Sequence, residues 1–388
     1  MRAVLTILAI WAAGLGAAAQ FGKISVLYQD LERHYAGAGV IGIGLMVSIV
    51  GMVGLVFGTS AGLLVARVGP RRAILAALAL GAGVSLVQSG LPPYPVMMAS
   101  RVLEGVSHLA IVVVGPTAIA TVAVGRWQGA AMTLWASFFG LTYTVLAAFA
   151  PGLVAARGDA SLFLAHAGWM LAVLGLLWWL MPQDPIKAAV RGQAGILAQL
   201  VAIYRSPWVA APAMGFVFYT VTYVALLTLL PGVVTPGWGG FIAVAMPLMS
   251  IGVSLTLGVW LLGRVTAVRL VQAGFAVGII AALGLRAFWG MGLAEAGFAL
   301  LLAAAVGIVQ GTSFAALAQL NPRAEDRVRA AGAIAQLGNL GTVTGTPLLA
   351  WILTRAGANG LVVFLIGFFA LGIMVHQMQA RRRLSTGH

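Results

Sequence analysis

The sequence predicts an all-α integral membrane protein, with twelve transmembrane helices in two pseudo-symmetric six-helix bundles. Three observations carry this. The 388 residues are 61% hydrophobic and 8% charged, whereas a water-soluble domain carries about 25% charged residues. Apolar runs near the roughly 20 residues that cross a bilayer as helix recur along the whole chain. The two halves also echo each other in sequence. So little polar side chain cannot cover a water-facing surface, so lipid is the solvent for most of it. The 51 glycines suit helices whose backbones approach closely in lipid.

The apolar runs place spans at 4–28, 38–65, 73–90, 95–122, 129–155, 161–181, 207–231, 239–262, 269–288, 294–320, 331–354 and 360–379. Span one contains Ala17-Ala18-Ala19-Gln20, which also has the form of a signal-peptide cleavage site. The mostly apolar run continues past it to Tyr28, which favours an uncleaved span. Residues 1–181 form the N-terminal six-helix bundle. Residues 182–206 form a cytoplasmic central loop, and 207–388 the C-terminal bundle with a short basic tail. Within the loop, Ile196 to Tyr204 suits a short helix lying on the membrane surface.

Charge sets the orientation. With the N-terminus in the cytoplasm, Arg67, Arg71, Arg72, Arg126, Lys187, Arg191, Arg264, Arg269, Arg327, Arg329 and Arg381 to Arg383 share its side. Only Arg33, Arg157, Arg286 and Arg355 lie outside, and Lys23 and Arg101 fall within spans. Lys and Arg prefer cytoplasmic loops. This asymmetry predicts a multi-pass protein of the cell inner membrane with both termini cytoplasmic. The net charge of +14 is then topological and not a nucleic-acid footprint. The chain has no Cys, which excludes disulfides and thiolate metal sites. It has no Gly-rich phosphate loop and no soluble domain to hold one. An enzyme and an ATP-driven pump are therefore not expected, and neither is a cofactor.

Span four carries the strongest functional lead. From Val96 to Ala110 it is apolar except for Ser100, Arg101, Glu104, Ser107 and His108. Spacings of three and four residues put Arg101, Glu104 and His108 on one helical face. Charges at this depth cost several kcal/mol and normally face a protein interior or a watery cavity. The expectation is that they border an aqueous pocket. Arg101 is a fixed cation, Glu104 gains a proton only if desolvated, and His108 titrates nearest neutral pH. A carboxylate and an imidazole one turn apart suit proton passage. The same spacing equally suits a structural Arg101–Glu104 pair that pins helix four to a neighbour. Span four also has an echo. Arg101 to His108 parallels Gly307 to Phe314, and Arg126 to Ala130 parallels Arg329 to Ala333 at nearly the same offset. Two six-helix repeats explain both.

The loop after span two reads Gly62-Leu63-Leu64-Val65-Ala66-Arg67-Val68-Gly69-Pro70-Arg71-Arg72-Ala73-Ile74. This resembles the signature of the major facilitator superfamily between helices two and three. Gly62, Leu64, Arg67, Gly69, Arg71 and Ile74 fit it, while Ala66 replaces the usual aspartate. Span four is similar to the family's second motif through Met97, Arg101, Glu104 and Gly105. The antiporter motif of helix five is absent at Gly140-Leu141-Thr142. A looser version stands at Gly341 to Pro347.

The resemblance implies a secondary transporter working by alternating access, its small-molecule site near mid-membrane between the bundles. With no ATP site, the energy is expected from an ion gradient, protons through Glu104 and His108, or from the solute's own gradient, and the protein is expected to be a monomer. The resemblance also implies that spans one, four, seven and ten line the cavity. Lys23 then either faces the same space as Arg101, where two cations against one carboxylate favour an anion, or snorkels to the headgroups.

Span seven offers Tyr219 and Tyr223, one turn apart, which suit an aromatic solute or ordinary packing. Gln310 and Ser313 in span ten, and Gln336 and Asn339 in span eleven, either contact substrate or bridge helices. Met246, Met249, Met374, His376 and Met378 are soft ligands suited to Cu(I). A copper importer of the same superfamily is one alternative, although methionine more often fills cores. A polytopic sensor or assembly factor without transport is the other.

Overall fold

The computed structural model describes residues 2–123, 127–183 and 196–385. Arg126, and Asp184, Lys187 and Arg191 of the central loop, lie outside the described residues. Every regular element described is helical. Among the described residues, ten helices are long and apolar enough to cross a membrane. The bent pair Gly39–Ser48 and Gly51–Phe57 supplies one more span. The last helix, Ala324–Ser385, contains a break at Gly357, which divides it into spans eleven and twelve. Among the described residues this arrangement is consistent with the predicted twelve, with altered ends.

The chain divides into two compact units. One comprises Met1–Gly39 with Ile49–Gln193, and the other Val40–Ser48 with Ala194–His388. In the first, span one (Arg2–Val26) is the centre and touches span four (Tyr94–Val122), the second half of span five (Phe138–Arg157) and span six (Ala160–Leu180). Span three (Pro70–Ser89) packs against spans four and six. Ala17, Ala18 and Gln20 sit inside this contact, fully buried in continuous helix. Ile10, Leu78, Ile111 and Met170 form the apolar core beside them.

Two corrections concern local shape. Span five is interrupted at Ser137, between Trp127–Ala136 and Phe138–Arg157. Span two is not one rod but the bent pair and then Ala61–Val68. Gly69 turns the chain with φ of 99°, a conformation that side chains with a Cβ rarely adopt, and Pro70 then starts span three.

In the second unit, span seven (Ala211–Leu229) lies against the last helix and span ten (Leu293–Leu320). Gly341 and Gly345 allow this. A Cβ on Gly341 would press on the Val217 carbonyl, and one on Gly345 on the Val221 carbonyl. The short helix expected within the central loop is present at Ile196–Arg205. Span eight (Gly239–Val253) opens into a wide turn at Ser254–Gly258 before its last residues, Val259–Leu262. Span nine is Ala267–Ala287.

The internal echo has a packing basis. Gly105 of span four backs onto the Val50 carbonyl, at the bend of span two. Gly307 and Gly311 of span ten back onto Ser250 and Ser254 of span eight. In each unit a glycine on the fourth helix lets the second helix approach.

Candidate functional site

The first unit holds a closed cluster of charge. Lys23 of span one places Nζ 2.6 Å from Glu104 Oε1. Arg101, one turn before Glu104 on the same helix, pairs with Oε2. All three residues are fully buried. Gln88 of span three donates to Glu104 Oε2 at 3.0 Å and to Ser100 Oγ at 3.0 Å. The Glu104 carboxylate thus accepts from residues of spans one, three and four.

Lys23 has two more partners. Its Nζ donates to Ser85 Oγ at 2.6 Å and lies 3.3 Å from His166 Nδ1. Ser85 Oγ is itself 2.6 Å from that nitrogen. On its other side, His166 Nε2 lies 3.0 Å from the Gly16 carbonyl. A carbonyl oxygen only accepts, so Nε2 carries the ring proton and Nδ1 accepts from Ser85 and Lys23. The ammonium also sits 5.3 Å from the centre of the Phe163 ring. The three acceptors Glu104, Ser85 and His166 match the three N–H bonds of an ammonium group.

These positions settle several alternatives left open by the sequence. Lys23 does not snorkel; its side chain turns inward and is bonded there. Arg101 and Glu104 do form an ion pair on one helix, as the structural reading had it. Contrary to the expectation, no aqueous pocket borders them among the described residues: both side chains are sealed, with no exposed surface. Burying three charges is costly, and the two cations around one carboxylate, with their added hydrogen bonds, offset part of that cost.

His108 does not reach Glu104. Its Nδ1 lies 3.0 Å from the Ala17 carbonyl, and its ring meets Phe21 edge-on. The two histidines that clasp span one are His108 and His166, at the adjacent carbonyls of Ala17 and Gly16.

Sequence reasoning missed Ser85, Gln88 and His166. The signal was available, because polar residues within spans are costly wherever they occur. Spans three and six carry no fixed charge between residues 73–90 and 161–181, and so drew no attention.

In the second unit, Tyr219 and Tyr223 stack with ring centres 5.0 Å apart, both buried. Phe216 leans on Tyr219 and meets Phe314 of span ten. Gln336 accepts from Tyr204 at 2.9 Å, tying the short Ile196–Arg205 helix to span eleven. Asn339 donates to the Ala335 carbonyl of its own helix, and Gln310 is partly buried on span ten. The soft ligands do not converge. Met246 is buried while Met249 is exposed, and His376 is buried between the exposed Met374 and Met378.

The loop motif is built without its aspartate. Gly62 and Arg67 are exposed. Arg71 donates to the Trp178 carbonyl at 2.7 Å and stacks over that indole at 5.1 Å. Arg2 reaches the Trp179 and Leu180 carbonyls from the other end of the chain. The last turn of span six has orphan carbonyls and a negative dipole end. Two arginines satisfy it.

Many membrane-spanning helices, the loop motif and a buried charge cluster define a multi-pass membrane transporter. The chain belongs to the Major Facilitator Superfamily, whose sequence model matches residues 6–345. It is similar in fold to the E. coli fucose:proton symporter FucP, solved as a variant. That likeness has a TM-score of 0.66 and 13% identity, covering 98% of this chain and 99% of that one. A second FucP structure, described as a Major Facilitator Superfamily transporter in the outward conformation, matches with a TM-score of 0.67 at 13% identity. It too covers 98% of this chain and 99% of that one. No curated protein sequence matches the chain.

Proposed function

We propose that this transporter moves a small organic anion across the cell inner membrane by alternating access, coupled to protons, as a monomer with both termini cytoplasmic. The observation that carries this is the sealed Lys23–Glu104–Arg101 cluster, two cations on one carboxylate. Burying such a group is expensive and is retained where it works. Its surplus of positive charge favours an anionic solute over a neutral or cationic one. The word "symporter" in the name of FucP supports proton coupling.

In this reading Arg101 is the fixed cation and Glu104 the shared carboxylate, which takes up a proton when Lys23 is drawn away. Lys23, arriving from a different helix, is the cation freed for the solute when spans one and four part. Ser85 and His166 hold the ammonium until then. Tyr219 and Tyr223, with Gln310, Gln336 and Asn339, are the second unit's contribution to solute contact. Gly62, Arg67, Gly69 and Arg71 form the hinge loop of the first unit.

The test uses purified protein. A thermal-shift panel of small organic anions, neutral sugars and aromatic solutes at two pH values finds a ligand. Counterflow in proteoliposomes then reads exchange of labelled for unlabelled ligand. We expect exchange by the wild type, and loss of uphill accumulation with Glu104→Gln. A protein that binds but never exchanges is a sensor, and the transport reading fails.

A further inference from the structure

The described residues include an apolar groove on the lipid-facing side of the last helix, about 420 Å³ in volume. Its wall runs through Asn359, Val363, Gly367 and Leu371, with Ile352 and Ala356 of span eleven at one end. The spacing is one face of a helix. From Asn359 to Leu371, at ~1.5 Å rise per residue, the wall is about 18 Å long. That is close to one leaflet of the roughly 30 Å hydrocarbon core. Gly367 keeps the groove open, because a Cβ there would meet nothing within 4 Å. Phe368 floors it, braced by Phe364 and by Phe218 of span seven.

Charge stands at only one end. Asn359 accepts a hydrogen bond from Arg286 of span nine, whose guanidinium is exposed. Arg355 lies four residues before Asn359, also exposed, 5.9 Å from the Trp351 ring centre. No acidic side chain pairs with either arginine among the described residues. An apolar slot one leaflet deep, headed by two unneutralised cations and an interfacial tryptophan, has the form of a lipid with a charged head.

We propose that this groove is a binding site for one anionic phospholipid. The acyl chain lies along Val363, Gly367 and Leu371, and the phosphate sits between Arg286 and Arg355. The site is separate from the Lys23–Glu104–Arg101 cluster and needs only that the chain spans a membrane.

Native mass spectrometry of detergent-released protein tests it, with phosphatidylglycerol and phosphatidylcholine of the same chains as probes. We expect a one-to-one phosphatidylglycerol adduct on the monomer, bound tighter than phosphatidylcholine. Arg286→Gln and Arg355→Gln should each reduce that preference about fivefold, the contribution of one basic residue at a membrane surface. Gly367→Leu, at a position where a Cβ meets nothing within 4 Å, should lower occupancy by both lipids and leave the melting temperature unchanged. Equal binding of the two lipids overturns the proposal. So does an adduct indifferent to all three variants, or a dimer that Gly367→Leu disrupts, since a second copy would then be the occupant.

Discussion

Lys23 reaches Glu104 from another helix at 2.6 Å, while Arg101 reaches the same carboxylate from one turn away on its own helix. The two pairs differ mechanically. The Arg101–Glu104 pair survives any rigid movement of span four. The Lys23–Glu104 pair persists only while spans one and four stay together.

Removing the shared carboxylate should be the costlier change. Glu104→Ala leaves two buried cations facing each other, a loss of about 3–5 kcal/mol by analogy with other broken buried pairs. Lys23→Met leaves Arg101 and Glu104 paired and fills the space with apolar chain, so its cost should be clearly smaller. Thermal unfolding in detergent measures both. Equal melting temperatures would show that the second cation matters as much as its counter-charge.

His166→Ala should strand the Ser85 hydroxyl and one ammonium N–H, costing about 1–3 kcal/mol. Lys23→Met removes the group that His166 helps to hold. The two changes together should therefore cost less than their sum, by about 0.5–3 kcal/mol as for other contacting residues. A double-mutant cycle on unfolding free energies measures this, and strict additivity counts against a shared network.

Gly345→Ala should separate spans seven and eleven. The new methyl meets the Val221 backbone, which cannot rotate away as a side chain would. Overpacking of this kind costs about 1–3 kcal/mol. Gly367→Ala, facing open space, is the matched control and should be neutral. Comparing the two melting temperatures decides whether backbone contact or helix propensity governs these glycines.

Arg71→Gln should slow exchange more than it lowers stability. It loses a contact to the Trp178 carbonyl and the stack on the indole, but the site is partly exposed, so the stability change should stay within about 1 kcal/mol. Rate and melting temperature measured on one preparation separate the effects. A large drop in melting temperature with unchanged rate would make this a purely structural cap.

The fold was legible in the sequence because lipid imposes a length on every helix. Twelve apolar runs could hardly be read otherwise. Bends were not legible, because Ser137 and the Ile49–Val50 step carry no proline and break their helices through packing. The charged members of the cluster, Lys23, Arg101 and Glu104, were legible from their cost in a membrane. Ser85, Gln88 and His166 were not, because none carries a fixed charge and their meaning appears only when four helices meet. Their spacing along the chain is unrelated to their spacing in space. The hydrogen-bond partner of His108, the Ala17 carbonyl, was not legible for a related reason. One shared helical face brings two side chains near, but the Ala17 carbonyl on a neighbouring helix offered the imidazole a closer partner.

The wide turn at Ser254–Gly258 in span eight resets the direction in which the last residues of that span point. An extra residue in one helical turn rotates everything downstream by about 100° relative to an uninterrupted helix. That rotation is what sends Val259 and Trp260 outward, at 59% and 54% exposed, and lets Arg264 lie 3.8 Å from the Trp260 ring centre. Shortening the chain there by one residue would swing this indole–guanidinium anchor off the bilayer's edge and into the neighbouring helices. The bulge thus sets how deeply span eight is moored.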